Sequence, residues 1–283
     1  RPYSDPVGDS WDELTYRLAL DWRMSENVML FGSFSTGYKS GGINQTAALS
    51  LGATTAVYDP EFVDAIELGI KSTLLDGRLQ LNTSIYHNKY EDLQFQIFGL
   101  AGPEAFNAEG ATVKGLEVEL RAALTDTLMI DASLGLTDSA FDAQVINGAQ
   151  IDGNQVQRTP DTTYSLGLTN DWALGNGSGM RLRLEYSYTD DIFYTAFNRT
   201  AGFATPGGND LAEDYSNLNA RLFWFSADEK WTVEASITNL TDEVQEGNVF
   251  RGIGFNDVGS GGGMEEITYN PPRQWGLRVG YNF

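Results

Sequence analysis

The sequence predicts an all-β protein that folds as an antiparallel up-and-down transmembrane β-barrel of about eleven strands. Apolar residues recur at every second position over segments of roughly ten residues, as in strands that separate two environments. Short and long connections alternate between these segments, as in outer-membrane barrels with one trimmed and one elaborated rim. The 31 glycines and the aromatic content of 12% agree with a chain of many strands and turns.

The clearest of these segments is the last one, residues 272–283. Its apolar face alternates with polar residues and glycines. That face consists of Trp275, Leu277, Val279, Tyr281 and Phe283. Aromatic residues lie at both of its ends, with aliphatic residues between them. A barrel strand needs about 9–11 residues and has aromatic residues at both membrane interfaces, so the segment is predicted to span a bilayer.

Ten earlier segments show the same alternation and are bounded by glycine, proline, asparagine and aspartate. In chain order they are residues 12–23, 28–39, 61–75, 78–98, 107–124, 128–141, 158–174, 180–195, 214–225 and 231–241. The first places Leu14, Leu18 and Trp22 on one face. The third and fourth are joined at Asp76-Gly77, a dipeptide suited to a tight hairpin turn.

Long connections are predicted at 40–60, 99–106, 142–157, 196–213 and 242–270, and short turns at 24–27, 76–77, 125–127, 175–179 and 226–230. The chain contains no Pro/Ser-rich linker and no block of like charge, which indicates one structural unit. An odd number of strands places the two termini at opposite rims. Because bacterial single-chain barrels have an even number, residues 1–283 are expected to be part of a larger barrel. The absence of a signal-peptide pattern agrees with this expectation.

The tryptophans indicate which face points outward. Four of the six lie on the apolar face next to a short turn, and they are Trp22, Trp172, Trp224 and Trp231. A ring of amphipathic aromatic residues at one level is typical of a membrane–water interface. The opposite face carries charged residues that suit a water-filled lumen, among them Glu117, Glu119, Arg121, Arg181, Arg183, Glu185, Arg221, Glu234 and Arg278. The alternative is the solvated outer face of a soluble β-can.

The composition argues against several classes of partner. The formal net charge is −21 and the pI is near 4.2, whereas nucleic-acid binding needs a basic surface. Cysteine is absent, so no disulfide is predicted. No run of eighteen apolar residues occurs, so no transmembrane helix is predicted.

The sequence gives little support for bond chemistry. His87 is the only histidine, and its parity with Ile85 places it on the lipid-facing side, where some barrel lipases hold a Ser–His pair. A barrel hydrolase using His87 therefore stays an alternative. No zinc site is predicted, and the acidic pairs Asp190-Asp191, Glu213-Asp214 and Glu265-Glu266 lack the spacing of a calcium loop. We predict no catalytic residue, no metal site and no cofactor.

Several segments together resemble the C-terminal part of a TonB-dependent outer-membrane receptor, in the order that the family shows. They are FSTGYKSGGIN at 34–44, ELGIKS at 67–72 with LDGRL at 75–79, YEDLQ at 90–94, KGLEVE at 114–119, NLTDE at 239–243, and PPR at 271–273 before a strand that ends in Phe283. The resemblance covers nearly the whole chain.

The resemblance implies a 22-stranded barrel closed by an N-terminal plug, with residues 1–283 as the C-terminal part of the barrel domain. It implies a bacterial outer-membrane location among lipid and lipopolysaccharide, and uptake driven by TonB through a box ahead of the plug. Neither the plug nor the box occurs in residues 1–283, and nor does the first half of the barrel. Trp275, Tyr281 and Phe283 resemble the signal read by the barrel assembly machinery.

Ligand contact is expected on the long loops, where aromatic and polar side chains converge over the lumen. The candidate ligand-binding residues are Tyr194, Phe197, Arg199, Phe203, Phe250, Arg251 and Phe255. Arginine beside aromatic residues suits the anion of a ferric siderophore or a similar iron complex, although sugars would use similar aromatic residues. A passive, substrate-specific porin-like channel is the alternative to energy-coupled import.

Overall fold

The computed structural model describes residues 9–44, 57–99, 102–146, 149–198, 210–251 and 265–283. In these ranges the regular secondary structure is entirely β-strand. No helix in the described part of the chain is long and apolar enough to cross a bilayer.

Eleven strands form one antiparallel sheet in which sequence neighbours pair. These are β1 (Arg17–Arg23), β2 (Val28–Lys39), β5 (Glu61–Leu74), β6 (Leu79–Gly99), β7 (Gly102–Ala123), β8 (Leu128–Phe141), β11 (Thr162–Ala173), β12 (Gly179–Thr189), β15 (Tyr215–Phe225), β16 (Trp231–Thr238) and β19 (Gln274–Tyr281). Every pairing is antiparallel, and β1 and β19 form the two edges. The order confirms the predicted up-and-down arrangement.

Eight shorter strands form four two-stranded hairpins in the long connections. They are β3 (Gly42–Ile43) with β4 (Val57–Tyr58), β9 (Val145–Ile146) with β10 (Ala149–Gln150), β13 (Ile192–Phe193) with β14 (Leu211–Ala212), and β17 (Glu246–Arg251) with β18 (Glu265–Tyr269). All four belong to connections at one rim, which we call the outer rim. The five short turns lie at the opposite rim, which we call the short-turn rim.

The predicted strand bounds agree with the structure in most places. β2 and β8 match the predicted residues 28–39 and 128–141 at both ends. β1 begins at Arg17 rather than at residue 12, and β12 ends at Thr189 rather than at residue 195. In place of the loop predicted at 99–106, the ladder between β6 and β7 continues to the pair Gly99–Gly102. Phe95 and Ala108 stabilise this extension because both are buried in a small apolar core at the outer rim.

The hairpin between β5 and β6 shows how local sequence sets a turn. Leu75 and Asp76 adopt φ values of 54° and 55°, and Gly77 follows at 87°. The Gly77 amide donates to the Leu74 carbonyl at 3.2 Å. Glycine, with no Cβ, adopts such a conformation at little cost, so the predicted tight turn at Asp76-Gly77 forms.

The two faces of the sheet differ as predicted. The face that carries the alternating apolar residues is uncovered, with Leu68 at 54% and Leu277 at 75% exposure. The polar face lines recesses of about 480, 530 and 440 Å³. Since recesses form on the concave side of a curved sheet, the polar face is the inner face. We call it the lumen face and the opposite one the outward face.

Ion pairs follow the lumen face across neighbouring strands. Arg181 Nε lies 2.7 Å from Asp171 Oδ1, and Arg181 Nη2 lies 3.1 Å from Asp171 Oδ2, which makes a two-pronged contact between β12 and β11. Arg183 reaches further, past β11 to Asp131 on β8, with Nη2 at 2.8 Å from Oδ2. Charged side chains on this face therefore stabilise one another while facing water.

Candidate functional site

A small apolar core lies on the lumen side at the outer rim. Its buried residues are Phe95, Ala108, Ala111, Phe141, Ile146, Ile151 and Ala196, and Tyr90, Leu93, Phe106, Val156 and Phe197 pack against them. The core joins the extended β6–β7 hairpin to two connections, 142–161 and 190–198. These connections are therefore packed against the barrel wall, and we call this assembly the outer ledge.

Side-chain amides hold the two connections of the outer ledge together. The backbone amide of Gln155 donates to Asn198 Oδ1 at 2.6 Å. Asn198 Nδ2 donates back to the backbone carbonyl of Gln155 at 3.1 Å. Asn154 Nδ2 donates to the Ala196 carbonyl at 2.8 Å. Asn198 adopts a φ of 46°, a left-handed conformation that asparagine tolerates better than most residues. The ledge is thus fixed by polar contacts as well as by its core.

A recess of about 460 Å³ opens beside the outer ledge. It is lined by Lys39, Tyr58, Gln94, Phe95, Gln96, Ala105, Gln157, Arg158 and Tyr194. We call it the outer recess. Its lining combines two cations, three aromatic rings and three side-chain amides, which is the mixture expected of a site for a polar ligand with anionic groups.

Arg158 is held in place by its backbone and by an aromatic ring. Its φ is 59°, and its amide donates to the Phe193 carbonyl at 2.8 Å. Its guanidinium carbon lies 5.5 Å from the centroid of the Tyr194 ring, a cation–π distance. The contact sets the guanidinium beside the recess in a defined position.

Lys39 and Gln94 contribute differently to the outer recess. Lys39 Nζ lies 3.8 Å from Glu61 Oε2, and the lysine side chain is 61% exposed. Such a pair is held weakly, so the ammonium is available to a ligand. The Gln94 side-chain amide instead donates to the Ser40 and Asp59 carbonyls at 2.9 and 3.0 Å. Gln94 therefore fixes the wall of the recess.

The structure separates the candidate ligand-binding residues. Tyr194 lines the outer recess, whereas Phe197 packs against the apolar core of the ledge. Phe250 and Arg251 lie on β17, where their backbones pair with Glu266 and Glu265 of β18. Three further candidates lie outside the described residues, namely Arg199, Phe203 and Phe255.

Other lining residues were missed by the sequence analysis. The sequence pattern places Lys39 at a strand end and Arg158 at a strand start, and Tyr58 lies within a predicted loop. Arg158 precedes Pro160 in a turn, and the strand begins only at Thr162. A basic residue beside a proline-containing turn was the available signal, but its partner Tyr194 is 36 positions away in sequence.

The outer rim near the recess is acidic. Burial and the Asp190 carboxylate raise the pKa of Asp191 above its ordinary value. Burial also raises the pKa of Asp161, against the lowering effect of its hydrogen bond from Gln155. Within the described ranges, no group of three or more His, Asp or Glu side chains is arranged to hold a metal ion.

His87 lies on the outward face, as its parity predicted. Its neighbours across the two adjoining strands are Ile66 on β5 and Lys114 on β7. Neither of these residues is a nucleophile that a histidine base activates, so the arrangement does not favour the hydrolase alternative.

The aromatic residues of the C-terminal strand lie on the outward face. Trp275, Tyr281 and Phe283 are 73%, 40% and 109% exposed relative to the reference residue. The Tyr281 ring centroid lies 4.7 Å from that of Trp231 and 5.1 Å from that of Phe283. Trp231, Tyr281 and Phe283 thus form one aromatic group at the short-turn rim. The use of Trp275, Tyr281 and Phe283 as an assembly signal stays a prediction.

A sequence profile of the family described as "TonB dependent receptor-like, beta-barrel" matches residues 2–240. The probable TonB-dependent siderophore receptor PiuA of Acinetobacter baumannii is 24% identical over 170 residues, which are 56% of this chain and 22% of PiuA. The chain thus spans about a fifth of that relative's length.

Two solved structures share the fold. The ferric yersiniabactin uptake receptor FyuA from Yersinia pestis superposes with a TM-score of 0.73 at 17% identity, over 94% of this chain and 37% of FyuA. The copper transporter OprC superposes with a TM-score of 0.64 at 14% identity, over 94% of this chain and 39% of OprC. The profile match covers most of the sequence, so the chain belongs to the TonB-dependent receptor β-barrel family.

Proposed function

We propose that the chain forms part of the barrel wall of a bacterial outer-membrane receptor that imports a scarce ligand with energy supplied through TonB. The ligand is a ferric siderophore or a similar iron complex. Its transport involves no bond chemistry in the chain. The family and the siderophore receptors similar to this chain support the class of activity.

The outer recess is the observation that carries the proposal. Arg158 and Lys39 place two positive charges at the outer end of the lumen face, in a protein whose net charge is −21. Tyr58 and Tyr194 add aromatic surface beside those charges. An anionic iron complex with aromatic or amide groups finds complementary partners for each of these features.

Transport of a radiolabelled ferric siderophore into cells that depend on the intact receptor tests the proposal. Replacing Arg158 by alanine removes a charge-assisted contact, which is worth about 1.5–3 kcal/mol, and should weaken ligand binding by about ten- to a hundredfold. Lys230→Ala at the short-turn rim is the control with the same change of charge and should bind as the unaltered receptor does.

Collapse of the proton gradient across the inner membrane distinguishes the two modes of transport. Energy-coupled import should stop when the gradient is lost. Uptake that continues at the same rate would support the passive channel instead. Equal binding by Arg158→Ala and the unaltered receptor would show that the outer recess is not the ligand site.

A further inference from the structure

Two asparagine side chains at the outer rim each bind both backbone polar groups of a residue far away in sequence. Asn44 Oδ1 accepts from the Ala105 amide at 2.8 Å, and Asn44 Nδ2 donates to the Ala105 carbonyl at 2.8 Å. Asn107 Oδ1 accepts from the Asp59 amide at 2.9 Å, and Asn107 Nδ2 donates to the Asp59 carbonyl at 2.9 Å. We call these two contacts the asparagine clasps. Each forms the same pair of hydrogen bonds that two paired strand residues exchange.

The asparagine clasps join the β3–β4 hairpin to the extended β6–β7 hairpin. Asn44 directly follows β3 and Asp59 directly follows β4, whereas Ala105 and Asn107 both lie on β7. Gln94 of β6 adds a further attachment, since its side-chain amide also donates to the Asp59 carbonyl at 3.0 Å. A hairpin as short as β3–β4, with two residue pairs, is not stable alone. Its position therefore depends on these attachments.

The Asn107 side chain is itself held in the orientation that the clasp needs. Its Nδ2 donates to the Asp92 carbonyl at 2.8 Å, in addition to the Asp59 carbonyl. Asp92 adopts a φ of 53°, a left-handed conformation that aspartate tolerates better than most residues. Because Asp92 belongs to β6, this bond fixes the Asn107 amide within the β6–β7 hairpin before it binds Asp59.

Tyr58 is the residue that the asparagine clasps place. It lies on β4 next to Asp59 and directly opposite Gly42 of β3. A Cβ on Gly42 would overlap the Tyr58 ring, so the ring lies across the glycine. Gly41 likewise gives room to the Trp11 ring, which a Cβ at this position would approach to 2.8 Å. The two adjacent glycines therefore let aromatic rings pack closely on the β3–β4 hairpin.

The clasped residues connect this hairpin to the outer recess. Tyr58 and Ala105 line the recess together with Lys39 and Arg158. The two clasping asparagines are not among the described residues that line it. Any effect of the clasps on a bound molecule is therefore exerted through the lining residues that they hold.

We propose that Asn44 and Asn107 are positioning residues that hold Tyr58 in the wall of the outer recess, where its ring contacts the bound iron complex. This inference rests on the proposed function, because it takes the outer recess as the ligand site. Without the clasps the β3–β4 hairpin moves, and the Tyr58 ring must be ordered again when the complex binds. That ordering costs affinity.

The distance between two spin labels in the intact, ligand-free receptor tests the clasps themselves. Ile43→Cys places one label on β3 and Ile85→Cys places the other on the barrel wall, and residues 1–283 contain no cysteine of their own. The distance distribution should be about twofold broader in Asn44→Ala/Asn107→Ala than in the unaltered receptor. The control Asn27→Ala/Asn82→Ala should leave it unchanged. An equally narrow distribution in the clasp variant would overturn the proposal.

Binding of iron complexes tests the role of Tyr58. Radiolabelled ferric citrate and a radiolabelled ferric catecholate, both anionic, are the probes. Asn107→Ala should weaken binding by about two- to tenfold, and Asn27→Ala should not. In a Tyr58→Ala receptor, replacement of Asn107 should have no further effect. An equal loss in that background would overturn the proposal, since Asn107 would then act without Tyr58.

Two further variants complete the test. Gly42→Ala displaces the Tyr58 ring and leaves both clasps in place, so it should weaken binding by a similar factor. Full binding by Gly42→Ala would contradict the assigned position of the ring. Weak binding by Arg158→Ala together with full binding by Asn107→Ala would overturn the positioning role alone. Full binding by both would show that the outer recess is not the ligand site and would overturn the proposed function as well.

Discussion

Glycines on the lumen face allow larger side chains to lie flat across a neighbouring strand. Arg183 of β12 crosses Gly167 of β11 to reach Asp131, and a Cβ on Gly167 would overlap both partners. Tyr86 crosses Gly115 in the same way, and its hydroxyl lies 3.1 Å from Thr137 Oγ1. Each crossing links strands that do not pair directly, which ties the wall together beyond its ladder.

Replacing Gly167 by alanine should therefore destabilise the barrel by about 1–3 kcal/mol, because the new methyl group displaces the Arg183–Asp131 pair. Urea unfolding in detergent measures the change. Gly280→Ala is the matched control, since its nearest contacts are 4.0 Å away. In an Arg183→Ala background the effect of Gly167→Ala should shrink, and an unchanged effect would refute the crossing as its cause.

Asp191 gives the outer rim a predictable dependence on pH. Burial and Asp190 raise the pKa of Asp191 in the folded protein above its ordinary value of 3.8. A raised folded-state pKa means that the charged form opposes folding. This cost is fully present above the folded-state pKa and disappears as the pH falls below 3.8.

The variant Asp191→Asn removes that cost. Hydrogen exchange of the backbone amides of residues 192–198 should be slower than in the unaltered protein at pH 7. At pH 3.5 the two proteins should exchange alike. Asp76→Asn at the short-turn rim should leave these amides unaffected. A slower exchange that persists at pH 3.5 would show that charge is not its cause.

At the scale of elements, the outer ledge converts two long connections into fixed structure. The connections meet through contacts between residues far apart in sequence, such as Gln155 with Asn198. Their apolar core includes Ile151, which is fully buried. The ledge holds Arg158 and Tyr194 beside the outer recess, so its rigidity determines the geometry of the candidate ligand site.

The Asn198 side chain makes three of the hydrogen bonds that hold the ledge together. Asn198→Gly keeps the left-handed backbone and removes three hydrogen bonds, to Gln155 twice and to Thr195 once. Amides of residues 151–157 and 193–198 should exchange at least about tenfold faster, since each of the three lost bonds is worth about 0.5–1.5 kcal/mol. Asn82→Gly on the lumen wall should not affect them. Unchanged exchange in Asn198→Gly would mean that the apolar core alone holds the ledge.

The sequence predicted the parts of these elements that depend on neighbouring residues. The period of two and the turn residues are local, which is why β2 and β8 match at both ends. The extension of the β6–β7 hairpin was missed because it depends on Phe95 and Phe141 meeting in a core built from three separate segments. The outer recess was missed in large part for the same reason, since Lys39, Gln94 and Arg158 converge only in the fold.

At the scale of the whole molecule, the two faces of the wall define the protein. The outward face is apolar and exposed, whereas soluble monomers rarely show large contiguous apolar patches. On that surface Leu166 of β11 is 49% exposed and Leu222 of β15 is 39% exposed, with β12 between their strands. Arg183 and Asp131 face the opposite way and pair there. Such a wall is stable with lipid on one side and water on the other.

Site-directed labelling of β12 tests this central claim most directly, because the chain has no cysteine of its own. A fluorophore attached through Leu184→Cys should be quenched by spin-labelled lipid and protected from a water-soluble quencher. The adjacent Glu185→Cys should show the reverse, since neighbouring residues of a strand point to opposite faces. Equal quenching at both positions, or lipid quenching at Glu185→Cys alone, would contradict the account.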